Sequence, residues 1–287
     1  MAASDDYRID RGVVRRNGRR HAAATASHDA VVREVAARMD ERLDYIRLAP
    51  RRILDLGCGT GADRARLQAR YRDSHVVGAD ACEALLAPVR RRGLIGRLLG
   101  NRPPVVAADA IALPFPRSSF GMVWSNLMLQ WLDDPAPALA EVHRVLETDG
   151  MVMFSTLGPD SLQELRQAFP EHSVHRFIDM HDIGDALLRA GFGDPVMDMQ
   201  MLTVTYAEID TLLAELRGSG SANARTDRPR GLIGTRAWQA RLARLEAGRH
   251  DAVLPITLEL VFGHAWKQAP KADEQGRPVI RFHPAKP

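Results

Sequence analysis

The chain has 287 residues, of which 45% are hydrophobic and 26% charged, enough apolar material for one large domain or a domain with an appended lid. The net charge is only +3, although the pI is about 9.1. No stretch is apolar for long enough to span a membrane, the start lacks the apolar run of a signal peptide, and two cysteines are too few for a disulfide framework, so we expect a cytoplasmic protein with reduced thiols.

Two clusters of arginine stand out, one in the N-terminal arm and one around residues 90–102. Either cluster could dock an acidic partner or a phosphate, but a solvated surface is the simpler interpretation. Neither contains the interleaved aromatic side chains that stack on bases, so we expect no nucleic acid partner. The clusters are Arg8, Arg11, Arg15, Arg16, Arg19 and Arg20, and Arg90, Arg91, Arg92, Arg97 and Arg102.

Helical spacing of apolar residues predicts a first helix over residues 28–47. From residue 52 short apolar strands alternate with helices, which is typical of a parallel sheet covered on both faces, a doubly wound α/β fold. The predicted strands are 52–56, 75–79, 104–108, 121–125 and 150–155, and the helices between them are 61–71, 82–92 and 135–147.

Beyond Pro159 the regular alternation of strands and helices ends. The pattern predicts helices over 160–168, 179–190, 207–217 and 235–247, and strands over 196–206 and 255–267. Since the last two strands of this fold pair antiparallel at one edge, the segment 206–252 is predicted to project over the carboxyl ends of the sheet as a lid. The predicted parts are a basic arm and helix (1–49), a cofactor-binding core (50–157), acceptor-side helices with the lid and last two strands (158–267), and a loosely held tail (268–287).

The stretch ILDLGCGTG, residues 53–61, places three glycines at alternate positions after the first predicted strand. Gly57, Gly59 and Gly61 permit a tight turn and a close approach of a ligand to the backbone. A dinucleotide fingerprint would read G-x-G-x-x-G, and Asp55 would repel a pyrophosphate. A carboxylate at this place favours a cationic ligand. S-adenosylmethionine fits, because it carries an ammonium and a sulfonium and has no phosphate.

Two more acids follow the next two strands. Asp80 ends the second strand, where a carboxylate can accept both ribose hydroxyls, and Asp109 follows the third, near the expected adenine amino group. Each acid could instead cap the next helix, and Asn126 could touch the cofactor or cap a turn. Acids at three consecutive strand ends favour the cofactor interpretation. The predicted cofactor-binding residues are Asp55, Gly57, Cys58, Gly59, Gly61, Asp80, Ala81, Asp109, Ala110 and Asn126.

Over residues 50–157 the segments ILDLGCGTG, VVGAD, DAIALPFPRSSFGMVWSNLMLQW and EVHRVLETDGMVMFS resemble, in this order, the class I S-adenosylmethionine-dependent methyltransferases. The resemblance implies a seven-stranded Rossmann-like sheet with S-adenosylmethionine as cofactor. SNLMLQW, STLGPDSLQEL and GHAWK are similar to the malonyl-acyl-carrier-protein O-methyltransferases of biotin synthesis, which implies methylation of the free malonyl carboxylate on acyl carrier protein. Members of that family carry a tyrosine before the first long helix, and Ala26 stands at that position.

A second resemblance leaves an alternative open. IDRGVVRR, ELR and GSGSAN are similar to segments of the arginine-hydroxylating assembly factor of mitochondrial complex I, which implies a protein-modifying hydroxylase acting on a respiratory-complex subunit. A hydroxylase would need a metal. His172, His175 and His181 lie close in sequence, but no carboxylate stands beside them at the spacing of a facial triad, so we expect solvated histidines and no metal site.

Methylation of a malonyl carboxylate needs little acid–base chemistry. With a reference pKa near 4, such a group is already ionised at neutral pH, so the enzyme must align the reacting atoms and exclude water. An anchor for the acid is still required. Arg176 is the first candidate, since arginine binds a carboxylate bidentately, although it could pair with Asp179 instead. The remaining catalytic candidates are Arg166, Gln130 and Trp131, the last of which could equally belong to the core.

Overall fold

The computed structural model describes residues 7–23, 29–98 and 104–269. Over these residues the strands form one seven-stranded sheet. They are β1 (Arg52–Leu56), β2 (His75–Asp80), β3 (Val105–Ala107), β4 (Phe120–Ser125), β5 (Leu146–Leu157), β6 (Gly193–Tyr206) and β7 (Leu254–Trp266). Their order is β3-β2-β1-β4-β5-β7-β6, with β1 to β5 parallel and β7 antiparallel to both neighbours. The predicted Rossmann-like α/β sheet is confirmed.

Helices cover both faces of this sheet. They are α1 (Arg11–Ala23), α2 (Ala30–Arg42), α3 (Arg64–Arg70), α4 (Glu83–Leu98), α5 (Ala136–Val145), α6 (Gln163–Ala168), α7 (Met180–Arg189), α8 (Ile209–Gly218) and α9 (Thr235–Glu246). Successive strand residues point to opposite faces. Leu54 and Val123 therefore pack against α5 and α7, whereas Ile53 and Trp124 pack against α2 and α3. Each large side chain buried in this way stabilises the fold by about 1.5–3 kcal/mol.

The first predicted helix is shorter than expected. The pattern predicts 28–47, but α2 ends at Arg42 and a 3-10 turn follows over Leu43–Tyr45. Ile46 then adopts extended backbone with φ −116° and ψ 120°, which redirects the chain toward β1. Three further expectations fall outside the described residues: Ala26, Arg102 of the second arginine cluster, and residues 270–287 of the predicted tail.

A helical segment does lie between the last two strands, as predicted. The chain leaves the sheet at Tyr206 and returns at Leu254, and α8 and α9 occupy the interval. A small apolar cluster attaches this segment, which we call the lid, to α6 and the sheet. Its buried members are Leu165, Ala168, Tyr206, Leu212, Leu245, Leu254 and Ile256.

The N-terminal arm also contains a helix, α1, which lies against α4 and α8. Its arginines are exposed, as expected of a charged surface, although Arg11 and Arg15 also line a cavity, while Val13 and Asn17 are buried. A Cβ at Gly18 would lie 2.8 Å from the Sγ of Cys82, so glycine allows α1 to approach this closely. In the second arginine cluster, Arg90 pairs with Glu83. None of the described helices is long and apolar enough to cross a membrane.

Candidate functional site

A cavity of about 260 Å³ opens at the carboxyl ends of the central strands. Its walls come from the loops after β1, β2, β3 and β4, and it is closed by α1 and the start of the loop after α8. The structure brings nine of the ten predicted cofactor-binding residues to its surface; Gly61 is the exception. Gln130 and Trp131 line the same cavity. The nine are Asp55, Gly57, Cys58, Gly59, Asp80, Ala81, Asp109, Ala110 and Asn126.

The glycine turn explains the shape of the cavity floor. Gly57, Gly59 and Gly61 have φ angles of 78°, 51° and 75°, a region that favours glycine. A Cβ at Gly57 would lie 2.5 Å from the Cγ of Met128, and one at Gly61 would lie 2.9 Å from a methyl of Val89. At Gly59 nothing lies within 4 Å, so bare backbone faces the cavity there. The turn also delays α3 to Arg64, three residues after the predicted start.

Asp80 and Asp109 both bind backbone and remain on the cavity wall. Asp80 accepts hydrogen bonds from the backbone N–H of Gly59 at 2.9 Å and of Cys82 at 2.7 Å. Asp109 accepts one from the N–H of Ile111 at 3.3 Å and one from the Arg11 guanidinium at 2.9 Å. Holding the local turn and facing a ligand are therefore compatible roles for these carboxylates.

Asp55 is 3% exposed and lies close to two other acids. Burial raises its pKa well above the usual range, and the neighbouring charges of Asp63 and Asp80 raise it further. Burial likewise raises the pKa of Asp63. Three carboxyl groups this close together disfavour one another's ionisation, and a cationic ligand would relieve that repulsion. Asp63 is absent from the predicted set; its position two residues after the glycine turn was the available signal.

Substitution of Asp55 by asparagine is expected to stabilise the protein in the absence of ligand. The pKa of Asp55 is 3.8 in the unfolded chain and higher in the folded protein. The free energy of unfolding therefore decreases as the pH rises from the unfolded-state pKa to the folded-state pKa. Asparagine carries no charge, so the melting temperature of Asp55→Asn should exceed that of the wild type near neutral pH, and the difference should shrink toward about pH 4. Thermal melts across this range measure it. A lower melting temperature at neutral pH would contradict the effect.

Asn126 is held by a polar network under the cavity. Its amide nitrogen donates to a carboxylate oxygen of Asp63 at 3.0 Å and to the backbone oxygen of Val32 at 3.1 Å, and its oxygen accepts from Ser155 Oγ at 2.8 Å. The indole N–H of Trp124 also donates to Asp63, at 2.8 Å. These contacts tie the loop after β4 to α2, β5 and the start of α3, and this positions the cavity wall.

A second, wider cavity of about 920 Å³ lies beside the first. Arg166 and Arg176 line it, whereas Gln130 and Trp131 line the first, so the four catalytic candidates are divided between two cavities. The wall between them is thin: the rings of Trp131 and His175 meet edge to face with centroids 5.1 Å apart. The two cavities therefore meet at this pair of rings.

The two arginines differ in their surroundings. Arg166 donates to the backbone oxygens of Pro159 and Ser161, and to that of His175 at 3.5 Å, so its guanidinium holds the loop around the second cavity. Arg176 is exposed at the cavity rim. The expected competitor Asp179 instead accepts from His181, both from its backbone N–H and from Nδ1 at 2.7 Å. Of the two arginines, Arg176 is the more exposed to solvent.

The expectation of solvated histidines is wrong for His175. It is 7% exposed, and burial lowers its pKa to about 4, so the ring is neutral. Nε2 accepts from the N–H of Ala224 at 3.1 Å, and Nδ1 lies 3.2 Å from the hydroxyl of Tyr7. The sequence pattern gives no sign of these contacts, since Tyr7, His175 and Ala224 are far apart in the chain. His181 is exposed, as expected.

The first cavity is covered by the N-terminal segment, which is residues 7–10 and α1, and by the loop between α8 and α9, which we call the lid loop. Ile9 and Arg225 form an antiparallel bridge, and the N–H of Asp10 donates to the oxygen of Ala224 at 2.7 Å. Further along α1, Asn17 donates to the oxygen of Ala222 at 2.7 Å. These bonds join the N-terminal segment to the lid loop. In the described residues no group of three or more His, Cys, Asp or Glu side chains could hold a metal ion.

Known proteins are similar to this one over almost its whole length. Residues 54–154 match the family model described as a methyltransferase domain. The malonyl-[acyl-carrier protein] O-methyltransferase of Laribacter hongkongensis is 47% identical over 278 residues, which cover 93% of this chain and 94% of that protein. The protein of the same name from Methylovorus sp. is 44% identical over 288 residues, covering 98% and 97%.

A solved structure shares the fold at lower identity. The crystal structure of YcgJ from Bacillus subtilis has a TM-score of 0.58 at 17% identity, and covers 83% of this chain and 100% of that one. The relatives at 44–47% identity are similar over almost their full length, through the N-terminal arm and the lid as well as the sheet. The chain therefore belongs to the malonyl-[acyl-carrier protein] O-methyltransferase family.

Proposed function

We propose that this protein transfers the methyl group of S-adenosylmethionine to the free carboxylate of a malonyl thioester on acyl carrier protein. This is the acceptor that the names of its relatives contain. The observation that carries the proposal is the acidic first cavity, which meets a second cavity at the rings of Trp131 and His175. The first cavity suits a cationic methyl donor. The lining of the second is mixed, with four arginines and five acids, and Arg176 is its proposed contact with an anionic acceptor. The ester formed would serve pimelate synthesis on the way to biotin.

The residues of the first cavity match the parts of the cofactor. Asp55 would bind the ammonium of its methionine portion, Asp80 the two ribose hydroxyls, and Asp109 with Ala110 the adenine amino group. The cationic ligand would also stabilise Asp55 as a carboxylate, offsetting the cost of its burial. When bound, S-adenosylmethionine supplies an electrophilic methyl group whose transfer leaves a neutral thioether.

Little is then required of the protein at the acceptor. The malonyl oxygen is already anionic, so it needs no general base. Gln130 and Trp131 would shape the approach to the methyl group, and the roof over the cavity would keep water from the carboxylate, whose nucleophilicity rises on desolvation. Because a positive and a negative charge combine in the reaction, a dry site favours the transition state.

Mass spectrometry of malonyl-acyl carrier protein incubated with the purified protein and S-adenosylmethionine tests the function. We expect a gain of one methyl group on the malonyl form and none on the acetyl form, which lacks a free carboxylate. Succinyl-acyl carrier protein tests how strictly the enzyme selects the length of the acyl group. If cofactor binding is verified but no methyl group appears on the malonyl form, the proposed acceptor is wrong. A gain of oxygen on a respiratory-complex subunit would instead support the hydroxylase alternative.

Arg176 is the proposed anchor of the malonyl carboxylate. Its replacement by alanine removes a charge-assisted hydrogen bond worth about 1.5–3 kcal/mol, so we expect kcat/KM for the malonyl substrate to fall roughly 10- to 100-fold. The affinity for S-adenosylmethionine should not change. Steady-state kinetics with Arg189→Ala as control make the comparison, since Arg189 also lines the second cavity. Equal turnover by Arg176→Ala and wild type would remove Arg176 from the site.

The same proposal places the protein in the bacterial cytoplasm, with its two cysteines reduced. Both Cys58 and Cys82 are free and buried. Burial raises the pKa of the Cys58 thiol, which keeps it protonated and poorly reactive beside the cofactor.

A further inference from the structure

The outer surface of the lid carries a basic patch with an apolar centre. We call it the lid patch and define it by six residues: Arg230, Leu232, Ile233, Arg236, Arg241 and Arg244. We propose that the lid patch is the surface on which an acidic carrier protein docks to deliver its thioester. This inference rests on the proposed function, since it supplies the partner that the reaction requires.

The charge of the lid patch is uncompensated. Residues 228–249 contain six arginines and one acid, Glu246, which pairs with Arg249. Arg228 pairs with Asp10. Within the described part of the chain, Arg236, Arg241 and Arg244 make no hydrogen bond or ion pair. Arg230, Arg236, Arg241 and Arg244 thus have no ion-pair partner among the described residues, and the positive potential of such a cluster attracts an acidic surface and speeds its association.

Leu232 and Ile233 give the lid patch an apolar centre. Leu232 is fully exposed and Ile233 is 41% exposed, which is a cost in water for two neighbouring branched side chains. Arg230 and Arg236 stand on either side of them in the sequence. An apolar centre within a charged rim is the usual composition of a protein interface. A free phosphate or a small anion would use the arginines and leave the two apolar side chains in water.

The lid patch is also close to the proposed acceptor route. The ring of Trp238 in α9 packs on Phe169, directly after α6, with centroids 5.7 Å apart, and Leu245 of α9 joins Leu165 of α6 in one apolar cluster. Arg166, on the same helix α6, lines the second cavity. A carrier protein on α9 would therefore stand beside the opening through which its flexible thioester arm has to enter.

The exposed arginines of α1 form a rival surface. Arg16, Arg19 and Arg20 are exposed as well. However, none of the described residues of α1 is an exposed large apolar side chain. The lid patch therefore has both elements of an interface where α1 has one, and the α1 arginines serve as the matched control.

The test compares two charge reversals in the full-length protein. We expect Arg236→Glu/Arg241→Glu/Arg244→Glu to raise KM for malonyl-acyl carrier protein by about 10-fold or more at low salt, with kcat and the affinity for S-adenosylmethionine unchanged. Added salt should raise KM of the wild type and have much less effect on the variant. Arg16→Glu/Arg19→Glu/Arg20→Glu should behave like the wild type. A second variant, Leu232→Ser/Ile233→Ser, should also raise KM while keeping the salt dependence.

The outcomes separate docking from function. If the wild type methylates malonyl-acyl carrier protein but the lid reversal leaves KM and its salt dependence unchanged, the lid patch is not the docking surface. A larger effect of the α1 reversal would move the docking surface to α1 and overturn the proposal. If the wild type methylates no carrier-bound malonyl group, the proposed function itself has failed. Binding of the unloaded carrier protein, measured by fluorescence anisotropy on the same variants, supports docking only if the lid reversal weakens it selectively.

Discussion

Asp80→Asn is expected to weaken the binding of S-adenosylmethionine by roughly 100-fold, about 3 kcal/mol. Each carboxylate oxygen of Asp80 accepts from one backbone N–H, and the residue lines the cavity. Asparagine keeps one acceptor and turns an amide N–H₂ toward the other backbone N–H, so both the turn and the ribose lose a partner. Isothermal titration calorimetry measures the effect directly.

Two observations would separate loss of binding from loss of folding. The Asp80 carboxyl has a pKa raised by burial, so removing its charge offsets the hydrogen bond lost from the turn, and the melting temperature of the ligand-free protein at neutral pH should change little. Asp73→Asn is the matched control, because Asp73 is exposed in the turn before β2. Unchanged affinity in Asp80→Asn would show that the ribose is bound elsewhere. A large loss in the Asp73 variant would point to a general effect of charge.

Gly57→Ala is expected to destabilise the ligand-free protein by about 3 kcal/mol. The new Cβ would lie 2.5 Å from the Cγ and 2.6 Å from the Cβ of Met128, and the backbone φ of 78° adds strain for any side chain with a Cβ. The Cβ of Met128 is fixed to its backbone, so the clash cannot be relieved by rotating the end of the side chain. Urea unfolding followed by circular dichroism gives the free energy of unfolding.

The neighbouring glycine separates the two causes. Gly59→Ala has φ of 51° but no atom within 4 Å of its Cβ, so it should cost only about 1 kcal/mol from backbone strain. The double variant Gly57→Ala/Met128→Ala should cost less than the sum of the two single changes, because truncating Met128 removes the clash beyond Cβ. Equal destabilisation by Gly57→Ala and Gly59→Ala would mean that contact with Met128 contributes nothing.

Much of the fold follows from short-range patterns. The alternation of apolar strands and helices predicts the parallel part of the sheet, and the observed strands agree with the predicted ones to within a few residues. The differences have local causes: the turn through Gly61 shortens α3, and the 3-10 turn at Leu43–Tyr45 shortens α2. The glycines and acids at the strand ends could be recognised because the carboxyl ends of parallel strands meet at one edge.

The surroundings of the residues that line the second cavity could not be predicted from short-range patterns. Arg166 and Arg176 look equivalent as cations in the sequence, yet Arg166 is half-buried and holds backbone oxygens, whereas Arg176 is an exposed residue at a cavity rim. His175 stands beside polar residues in the sequence but is buried against Trp131. The exposure and the hydrogen-bond partners of these side chains depend on contacts between loops that are distant in the sequence. Residue type and spacing do not predict such contacts.

Residue order alone therefore predicts the α/β fold, the position of the lid between the last two strands, and the acids Asp55, Asp80 and Asp109 as one set, because periodicity and turn chemistry act between near neighbours. Long-range packing settles the division into two cavities, the roof built by the N-terminal segment and the lid loop, and the pKa of His175. Desolvation and hydrogen bonding between Tyr7, His175 and Ala224 arise only after the chain has folded. Their strength depends on burial, which is a property of the assembled structure.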